Sequence, residues 1–278
     1  MASNNVKLSQ MLETAVVAAR LAGQRAMEEI RYVKTTIKNK TEVVTQADLR
    51  CQQIIIDRIK ETYPDHGFIG EEGRAGAIFK QPPRASEAIW WVIDPIDGTA
   101  NFSHRMPLFT VSIAALQQGR PVAGVVFDPA TDSMFTAVKA GQAQLNGRRM
   151  NACEDAMSKF TSIGLDSHYD EGVPGWVCEI MRRTRFRNLG TTALQLAYVG
   201  NGSLIATVIS KPRLWDIAAG ALIAETAGAV VTDWHGNQLF PVDADNYQGR
   251  EYKVLAANRK VHKQLLEMIA AEQQASAS

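Results

Sequence analysis

Two aspartates that follow an apolar run are the residues of this sequence with the clearest potential for chemistry. Residues 90–93 are typical of a buried strand, and Asp94 and Asp97 come directly after them. Two carboxylates held close together repel each other, so one is driven towards protonation unless a cation lies between them. Hard oxygen ligands suit Mg²⁺ or Ca²⁺. The pattern therefore predicts a divalent-metal site at the end of this strand.

The residues around the second aspartate predict a turn that faces an anion. Pro95 cannot donate a ladder hydrogen bond, so the strand is expected to end there. Gly98 permits a tight turn, and Thr99 with the backbone N–H groups that follow could meet a phosphate. A plain Asp-rich turn is the alternative interpretation. It would leave two buried carboxylates unpaired, at a large cost in free energy.

Three further acids lie where predicted strands end or predicted helices begin. Glu71 follows a short predicted strand, and its neighbour Glu72 is expected to face solvent. Asp48 fits a capping box, and Asp216 lies at a helix start where the macrodipole favours a negative charge. Each acid alone has a structural explanation, as a surface residue or a helix cap. Together they predict a cleft in which metal ions hold a phosphate and a metal-bound water attacks it.

Hydrophobic periodicity predicts the elements that position these acids. Helices are predicted over residues 7–31, 45–63, 172–183, 191–199, 214–227 and 261–269. Strands are predicted over residues 68–70, 90–94, 111–116, 122–127, 134–138, 204–209, 230–232 and 254–257. A basic connector is expected at 34–40 and a surface excursion at 73–88. A helix pair, an antiparallel meander and then alternating elements predict an α+β layered sandwich.

Composition argues against several other classes of protein. The chain has 278 residues, 46% of them hydrophobic, and 30 Lys and Arg against 29 Asp and Glu, so direct nucleic-acid binding is not expected. Three separated cysteines predict neither a disulfide framework nor a zinc site. The polar first ten residues and the lack of any membrane-length apolar run favour a cytoplasmic protein without membrane contact.

The absence of a flexible linker in the sequence predicts a single domain over residues 1–278. Within it, an N-terminal half is expected at about 7–150 and a C-terminal half at about 151–270. Residues 271–278 are expected to form a frayed tail.

Five short motifs in a fixed order carry a family resemblance. They are Val-Thr-Gln-Ala-Asp at 44–48, Gly-Glu-Glu at 70–72, Asp-Pro-Ile-Asp-Gly-Thr at 94–99, Gly-Thr-Thr-Ala at 190–193 and Trp-Asp-Ile-Ala-Ala-Gly at 215–220. With these motifs, the sequence resembles the inositol monophosphatase family of magnesium-dependent, lithium-sensitive phosphomonoesterases. The resemblance extends from about residue 8 to residue 270, and Thr226 departs from it by replacing a usual alanine.

The resemblance implies a fold, a cofactor and roles for individual residues. The fold is an αβαβα layered sandwich of the inositol monophosphatase and fructose-1,6-bisphosphatase type, assembled as a homodimer. Two or three Mg²⁺ ions per subunit would be bound by Glu71, Asp94, the carbonyl of Ile96, Asp97 and Asp216. Glu71 and Thr99 would activate the attacking water, with Asp48 at a weaker third metal. The substrate contacts would be Gly98, Thr99, Thr191 and Asp216.

The sequence leaves the substrate open between two phosphate esters. Inositol monophosphate is favoured, and histidinol phosphate is second because residues 231–237 resemble a run in histidinol-phosphate phosphatases. Inositol-preferring members often carry a glutamate seven residues before the aspartate that corresponds to Asp216, and here Ile209 stands at that position. Lys211 and Arg213 follow it. If they face the cleft, they favour a second phosphate or a carboxylate on the substrate.

A function of another class is also open. Residues 187–190 resemble a segment of bacterial relatives that act on transcription complexes by protein contact. A place in a dimer interface or a core helix is the simpler interpretation of this segment. The phosphatase and regulatory roles do not exclude each other.

Overall fold

The helices and strands are taken from a computed structural model that describes residues 2–33, 35–38, 42–73, 77–84, 89–170 and 172–277. The α-helices in these ranges are α1 (Ala2–Glu29), α2 (Gln46–Lys60), α3 (Thr99–Ser103), α4 (Gly175–Arg183), α5 (Thr192–Gly200), α6 (Leu214–Thr226) and α7 (Arg259–Ala277). A turn of 3₁₀-helix, Ile30–Tyr32, follows α1. The strands are β1 (Thr35–Lys38), β2 (Glu42–Thr45), β3 (Gly67–Gly70), β4 (Phe79–Gln81), β5 (Ile89–Asp97), β6 (Thr110–Gln117), β7 (Arg120–Asp128), β8 (Ser133–Val138), β9 (Gln144–Leu145), β10 (Arg148–Arg149), β11 (Ser162–Gly164), β12 (Arg185–Arg187), β13 (Ala206–Ile209), β14 (Val230–Thr232) and β15 (Val254–Ala257).

The larger sheet carries the site and is covered on one face by α1 and α2. Its eight strands lie in the order β10-β9-β8-β7-β6-β5-β3-β4. The buried face of α1 is built largely from alanines, so the helix backbone can approach the sheet closely. At Gly23 a Cβ would come within 2.7 Å of the Phe127 ring. This close packing leaves no room for a larger residue at Gly23.

The other face of this sheet packs against α5 and α6. Helix α6 is apolar on nearly all sides, which is typical of a helix buried between two layers. Gly124 of β7 faces it, and a Cβ there would lie 3.1 Å from the Ala219 Cα. The same core cluster includes residues of the second sheet, such as Val254 and Ala256 of β15. Helices α5 and α6 therefore form a middle layer between the two sheets.

The second sheet completes the layers. Its five strands lie in the order β12-β11-β13-β15-β14, with β11 parallel to both of its neighbours. Its outer face packs against α4 and α7. Glu272 of α7 accepts hydrogen bonds from the backbone N–H groups of Gly175 and Trp176, at 2.8 and 2.7 Å, and so caps α4. The order of layers is αβαβα, so the predicted fold class is confirmed.

The structure corrects several local predictions. Strand β5 does not stop at Pro95 but continues to Asp97, with a shift in register between Asp94 and Asp97. Such an irregularity leaves residues without a ladder partner, and proline is tolerated there. The predicted basic connector contains β1, which pairs with β2 just after it, and the predicted surface excursion contains β4. Strands β11 and β12 lie in segments for which no element was predicted.

Candidate active site

Parallel pairing of β3 with β5 brings two of the predicted acids together. Gly70 lies opposite Ile93 in the register. The next residues along the two strands, Glu71 and Asp94, therefore emerge at the same edge of the sheet. They are close enough for the Glu71 charge to raise the pKa of Asp94. Asp94 is buried, and its Oδ1 accepts a hydrogen bond from the Ile96 N–H at 3.0 Å.

Glu72 differs from its neighbour. It is buried, contrary to the prediction that it faces solvent. Its backbone N–H donates to Gln52 Oε1 at 3.0 Å, and its carbonyl accepts from Gln52 Nε2 at 2.7 Å. Gln52 thereby fixes the backbone of the residue that follows Glu71. It also fixes the direction in which the chain leaves β3.

Asp97 joins the end of β5 to the start of α5. Its Oδ2 accepts hydrogen bonds from Ala193 N–H at 2.7 Å, from Thr110 Oγ1 at 3.3 Å and from Thr191 Oγ1. Its Oδ1 accepts from Thr192 N–H at 3.2 Å. The first N–H groups of α5, next to the predicted substrate contact Thr191, are thus already bonded to Asp97. Direct contact of Thr191 with a phosphate stays a prediction.

Asp216 both caps a helix and lies in the acid cluster, two roles that the sequence left as alternatives. It lies in the first turn of α6, and its Oδ2 accepts from the Arg213 N–H at 2.7 Å, as a helix-capping carboxylate does. Its carboxyl also lies close to that of Asp94, and its charge contributes to the raised pKa of Asp94. Asp216 is therefore both a helix cap and a member of the acid cluster.

Thr99 lies beside the fully buried Asp48. Its hydroxyl is 3.3 Å from Asp48 Oδ1 and 3.0 Å from the carbonyl oxygen of Ile96. Gly98 precedes it with φ of 103°, which is in the left-handed region where only glycine is unstrained. The helix that begins at Thr99 is short, so the glycine turn rather than helix packing orients this hydroxyl.

Burial and mutual repulsion raise the pKa values of the clustered acids. Burial is the main cause for all three aspartates. It raises the pKa of Asp97 to about 6, although four hydrogen-bond donors act in the opposite direction. Burial and the Asp97 charge raise the pKa of Asp216 to about 7. The pKa of Asp94 lies well above its usual range, through burial and the charges of Glu71, Asp97 and Asp216.

The oxygen donors of these residues suit a hard divalent cation, although their side chains are not arranged around one. Within the described ranges, no three His, Cys, Asp or Glu side chains form a group that could hold a metal as placed. Asp97 is hydrogen-bonded to the start of α5, and Asp94 lies close to Asp216. The donors are nevertheless all oxygens, as Mg²⁺ prefers, and a cation among them would relieve the repulsion that raises their pKa values.

These pKa values predict how pH changes the stability of the metal-free protein. In an unfolded chain the aspartates ionise near pH 4. Between there and about pH 7, the folded state holds more protons than the unfolded state at Asp97 and Asp216. Stability without metal therefore falls as the pH rises through this window. Mg²⁺ is expected to raise the melting temperature by several degrees more at pH 7.5 than at pH 5.

Calorimetry of EDTA-treated protein, with and without added Mg²⁺ at each pH, measures this difference. Equal shifts in melting temperature at the two pH values would contradict the assignment of Asp97 and Asp216 to a metal site.

Asn101 ties the two halves of the site together, and the sequence analysis assigned it no role. Its Nδ2 donates to the carbonyl oxygens of Leu108 and Leu189, both at 2.8 Å. Gly190, with φ of 66°, leaves space for it, since a Cβ there would lie 2.7 Å from Nδ2. The signal in the sequence is the asparagine that follows the Asp-Gly-Thr run, but its partners lie in distant segments.

Asn101→Asp is expected to destabilise the protein by about 2 kcal/mol, because a carboxylate would replace a donor that faces two carbonyl oxygens. The melting temperature would fall by roughly 4–8 °C. Differential scanning fluorimetry checks this, with the exposed Asn151→Asp as control. A variant as stable as the control would show that these two hydrogen bonds do not hold the halves together.

Lys211 and Arg213 each contact another side chain of the protein. Lys211 Nζ is ion-paired with Asp170. The Arg213 guanidinium lies over the Trp215 ring, 5.7 Å from its centroid. Both cations therefore already have partners within the protein, and a role for either in substrate binding stays a prediction.

Comparisons with known proteins agree with this fold. The sequence profile of the Inositol monophosphatase family matches residues 7–278. The inositol-1-monophosphatase of Mesorhizobium japonicum is 35% identical over 239 residues, covering 83% of this chain and 88% of that protein. The Nus factor SuhB of Escherichia coli K12 is 33% identical over 261 residues, covering 90% and 96%. The structure of an inositol monophosphatase from Thermotoga maritima is 30% identical, covers 95% of this chain and 98% of that one, and has a TM-score of 0.82.

The layered architecture is that of the inositol monophosphatase and fructose-1,6-bisphosphatase class of proteins. The chain belongs to the inositol monophosphatase family. An IMPase/NADP phosphatase with the same fold, 21% identical and with a TM-score of 0.78, has a structure complexed with Mg²⁺ and phosphate. The relatives at about one-third identity divide between inositol-1-monophosphatases and Nus factors. In the described part of the chain, no helix has the length and apolar content needed to span a lipid bilayer.

Proposed function

We propose that this protein hydrolyses the phosphate monoester of a small metabolite with Mg²⁺ as cofactor. The observation that carries the proposal is the meeting of acids from separate elements at one edge of the larger sheet, two of them buried and two half-buried. Asp94 and Asp97 come from β5, Glu71 from the end of β3 and Asp216 from α6. Keeping so many carboxylates together is costly unless a cation binds them.

The proposed roles divide between metal binding and proton handling. Glu71, Asp94, Asp97, Asp216 and the Ile96 carbonyl would hold two or three Mg²⁺ ions. When bound, the metal lowers the pKa of a water and polarises the phosphate. Glu71 would take the proton of the attacking water. The Thr99 hydroxyl, oriented by its bond to Asp48, would accept a hydrogen bond from that water and aim it.

Phosphate release from a panel of esters tests this function. Inositol 1-phosphate, histidinol phosphate, adenosine 3′,5′-bisphosphate and fructose 1,6-bisphosphate would be assayed with and without Mg²⁺. We expect metal-dependent turnover, with inositol 1-phosphate favoured and histidinol phosphate second. The proposal fails if Mg²⁺ supports hydrolysis of none of them.

A regulatory function in transcription is the second candidate, because the relatives include Nus factors. The segment that resembles those proteins, residues 187–190, begins at Arg187, the last residue of the exposed edge strand β12. Purified RNA polymerase would be tested for co-elution with the protein. The absence of a complex would count against this candidate. Light scattering in the same buffer tests the proposed homodimer.

A further inference from the structure

Gln52 is a polar side chain on the buried face of α2 that bonds to the backbone beside Glu71. Only 4% of the residue is exposed. A polar side chain that is buried to this extent requires hydrogen-bond partners, because it has lost its contact with water. The partners of Gln52 therefore show which part of the chain this side chain holds in place.

The side-chain amide of Gln52 bonds to both backbone groups of a single residue. Its Oε1 accepts from the Glu72 N–H at 3.0 Å, and its Nε2 donates to the Glu72 carbonyl oxygen at 2.7 Å. A residue of a neighbouring antiparallel strand makes the same pair of bonds. An amide can replace such a residue because it presents a donor and an acceptor in one plane.

These two bonds begin where the pairing of β3 ends. Gly70 is the last residue of β3 and pairs with residues of both β4 and β5. A backbone bond is found again at Gly73, whose N–H donates to the Ala77 carbonyl at 2.9 Å. Glu71 thus lies between a residue held by the sheet and a residue held by Gln52. The backbone that carries its side chain is fixed on both sides.

Gly70 leaves the space that the amide of Gln52 occupies. A Cβ at position 70 would lie 2.4 Å from Gln52 Oε1 and 3.0 Å from its Cδ. A larger residue there would push the amide away from Glu72, since the interior has no spare volume to accept it. The glycine of the Gly-Glu-Glu motif is therefore matched to the glutamine of α2.

The same face of α2 supports the second residue that handles the water in the proposed mechanism. Asp48 Oδ1 is 3.3 Å from the Thr99 hydroxyl. Asp48 and Gln52 are both buried and are separated by one helical turn, so their side chains lie on the same side of α2. This helix therefore supports Thr99 through Asp48 and the backbone beside Glu71 through Gln52.

We propose that Gln52 is a positioning residue for Glu71 and that it raises the affinity of the site for Mg²⁺ without contacting the ion. The inference rests on the proposed function for the role of Glu71 as a metal ligand. Groups that hold a metal ligand in place typically contribute about 10–100-fold to metal affinity. Gln52 acts on the backbone beside the ligand rather than on its carboxylate.

Gln52→Met tests this role, because methionine is similarly long and flexible but cannot donate a hydrogen bond to the Glu72 carbonyl. In calorimetric titration of the EDTA-treated protein, we expect Mg²⁺ to bind about tenfold more weakly to this variant. The Mg²⁺ concentration that gives half-maximal phosphate release should rise by the same factor. The KM for the ester at saturating Mg²⁺ should be unchanged.

Two control variants separate positioning from a general loss of stability. Gln53→Met makes the same substitution at the next residue of α2, whose side chain is exposed and bonds to Asp57. Leu265→Ala removes buried apolar volume from α7, on the outer face of the second sheet, and should lower the melting temperature. Both controls are expected to bind Mg²⁺ as tightly as the native protein does.

Gly70→Ala tests the same contact while keeping Gln52, and it decides the matter if Gln52→Met does not fold. The added Cβ displaces the amide, so Mg²⁺ should again bind more weakly. Native Mg²⁺ affinity in these variants, or an equal loss in Leu265→Ala, would overturn the inference and leave the phosphatase function in place. If no ester is hydrolysed, the proposed function fails, and the titrations still decide the role of Gln52. A native protein that binds no Mg²⁺ would overturn both.

Discussion

Asp94→Asn is expected to reduce Mg²⁺-dependent phosphate release by roughly 10²–10³-fold and to raise the stability of the metal-free protein. The activity falls because the substitution removes a proposed metal ligand, and metal catalysis contributes several kcal/mol to transition-state stabilisation. The stability rises because a neutral amide replaces a carboxyl that lies among Glu71, Asp97 and Asp216. An amide can also donate a hydrogen bond to the neighbouring Asp216 carboxylate.

Two measurements on the same preparation check both parts of this prediction. Phosphate release with saturating Mg²⁺ reports the activity, and the melting temperature in EDTA at pH 7.5 reports the stability. Retention of full activity would rule out Asp94 as a catalytic metal ligand. A lower melting temperature would show that the hydrogen bond from Ile96 N–H to Asp94 matters more than the repulsion among the acids.

Asp97→Asn is expected to have the opposite effect on stability, although it lies three residues away and is chemically the same change. Both oxygens of Asp97 accept hydrogen bonds from donors that include the N–H groups of Thr192 and Ala193. In either orientation, the amide nitrogen would face at least one of these donors. The loss is about 3 kcal/mol, the order expected when a buried, multiply bonded carboxylate loses acceptors.

The melting temperature of EDTA-treated Asp97→Asn should therefore lie roughly 6–12 °C below that of the native protein. Far-ultraviolet circular dichroism would show whether the variant still folds. Asp97→Ser, which has a hydroxyl that can accept a hydrogen bond, is expected to recover little, because one oxygen cannot serve four donors. If Asp94→Asn and Asp97→Asn shifted the melting temperature in the same direction, the different roles given to the two aspartates would be wrong.

The sequence by itself determined the layered fold class and the order of the acid motifs. Local periodicity was sufficient for this, since α1, β7 and α6 each bury a face or a run of apolar residues that are near neighbours in the chain. The apolar run before Asp94 predicted a buried strand there, but not that β5 continues past Pro95 to Asp97.

The tertiary structure decided what each polar residue of the site does. Asp97 is bonded to Thr191 and its neighbours, 94 or more positions along the chain, so no local pattern could predict that it caps α5. The contribution of packing is clearest for the cations. Lys211 precedes Asp216 closely in sequence but is ion-paired with Asp170, 41 positions earlier in the chain. Whether a charged side chain can act on a ligand depends on the groups it contacts within the protein. The packing of the layers decides which groups those are.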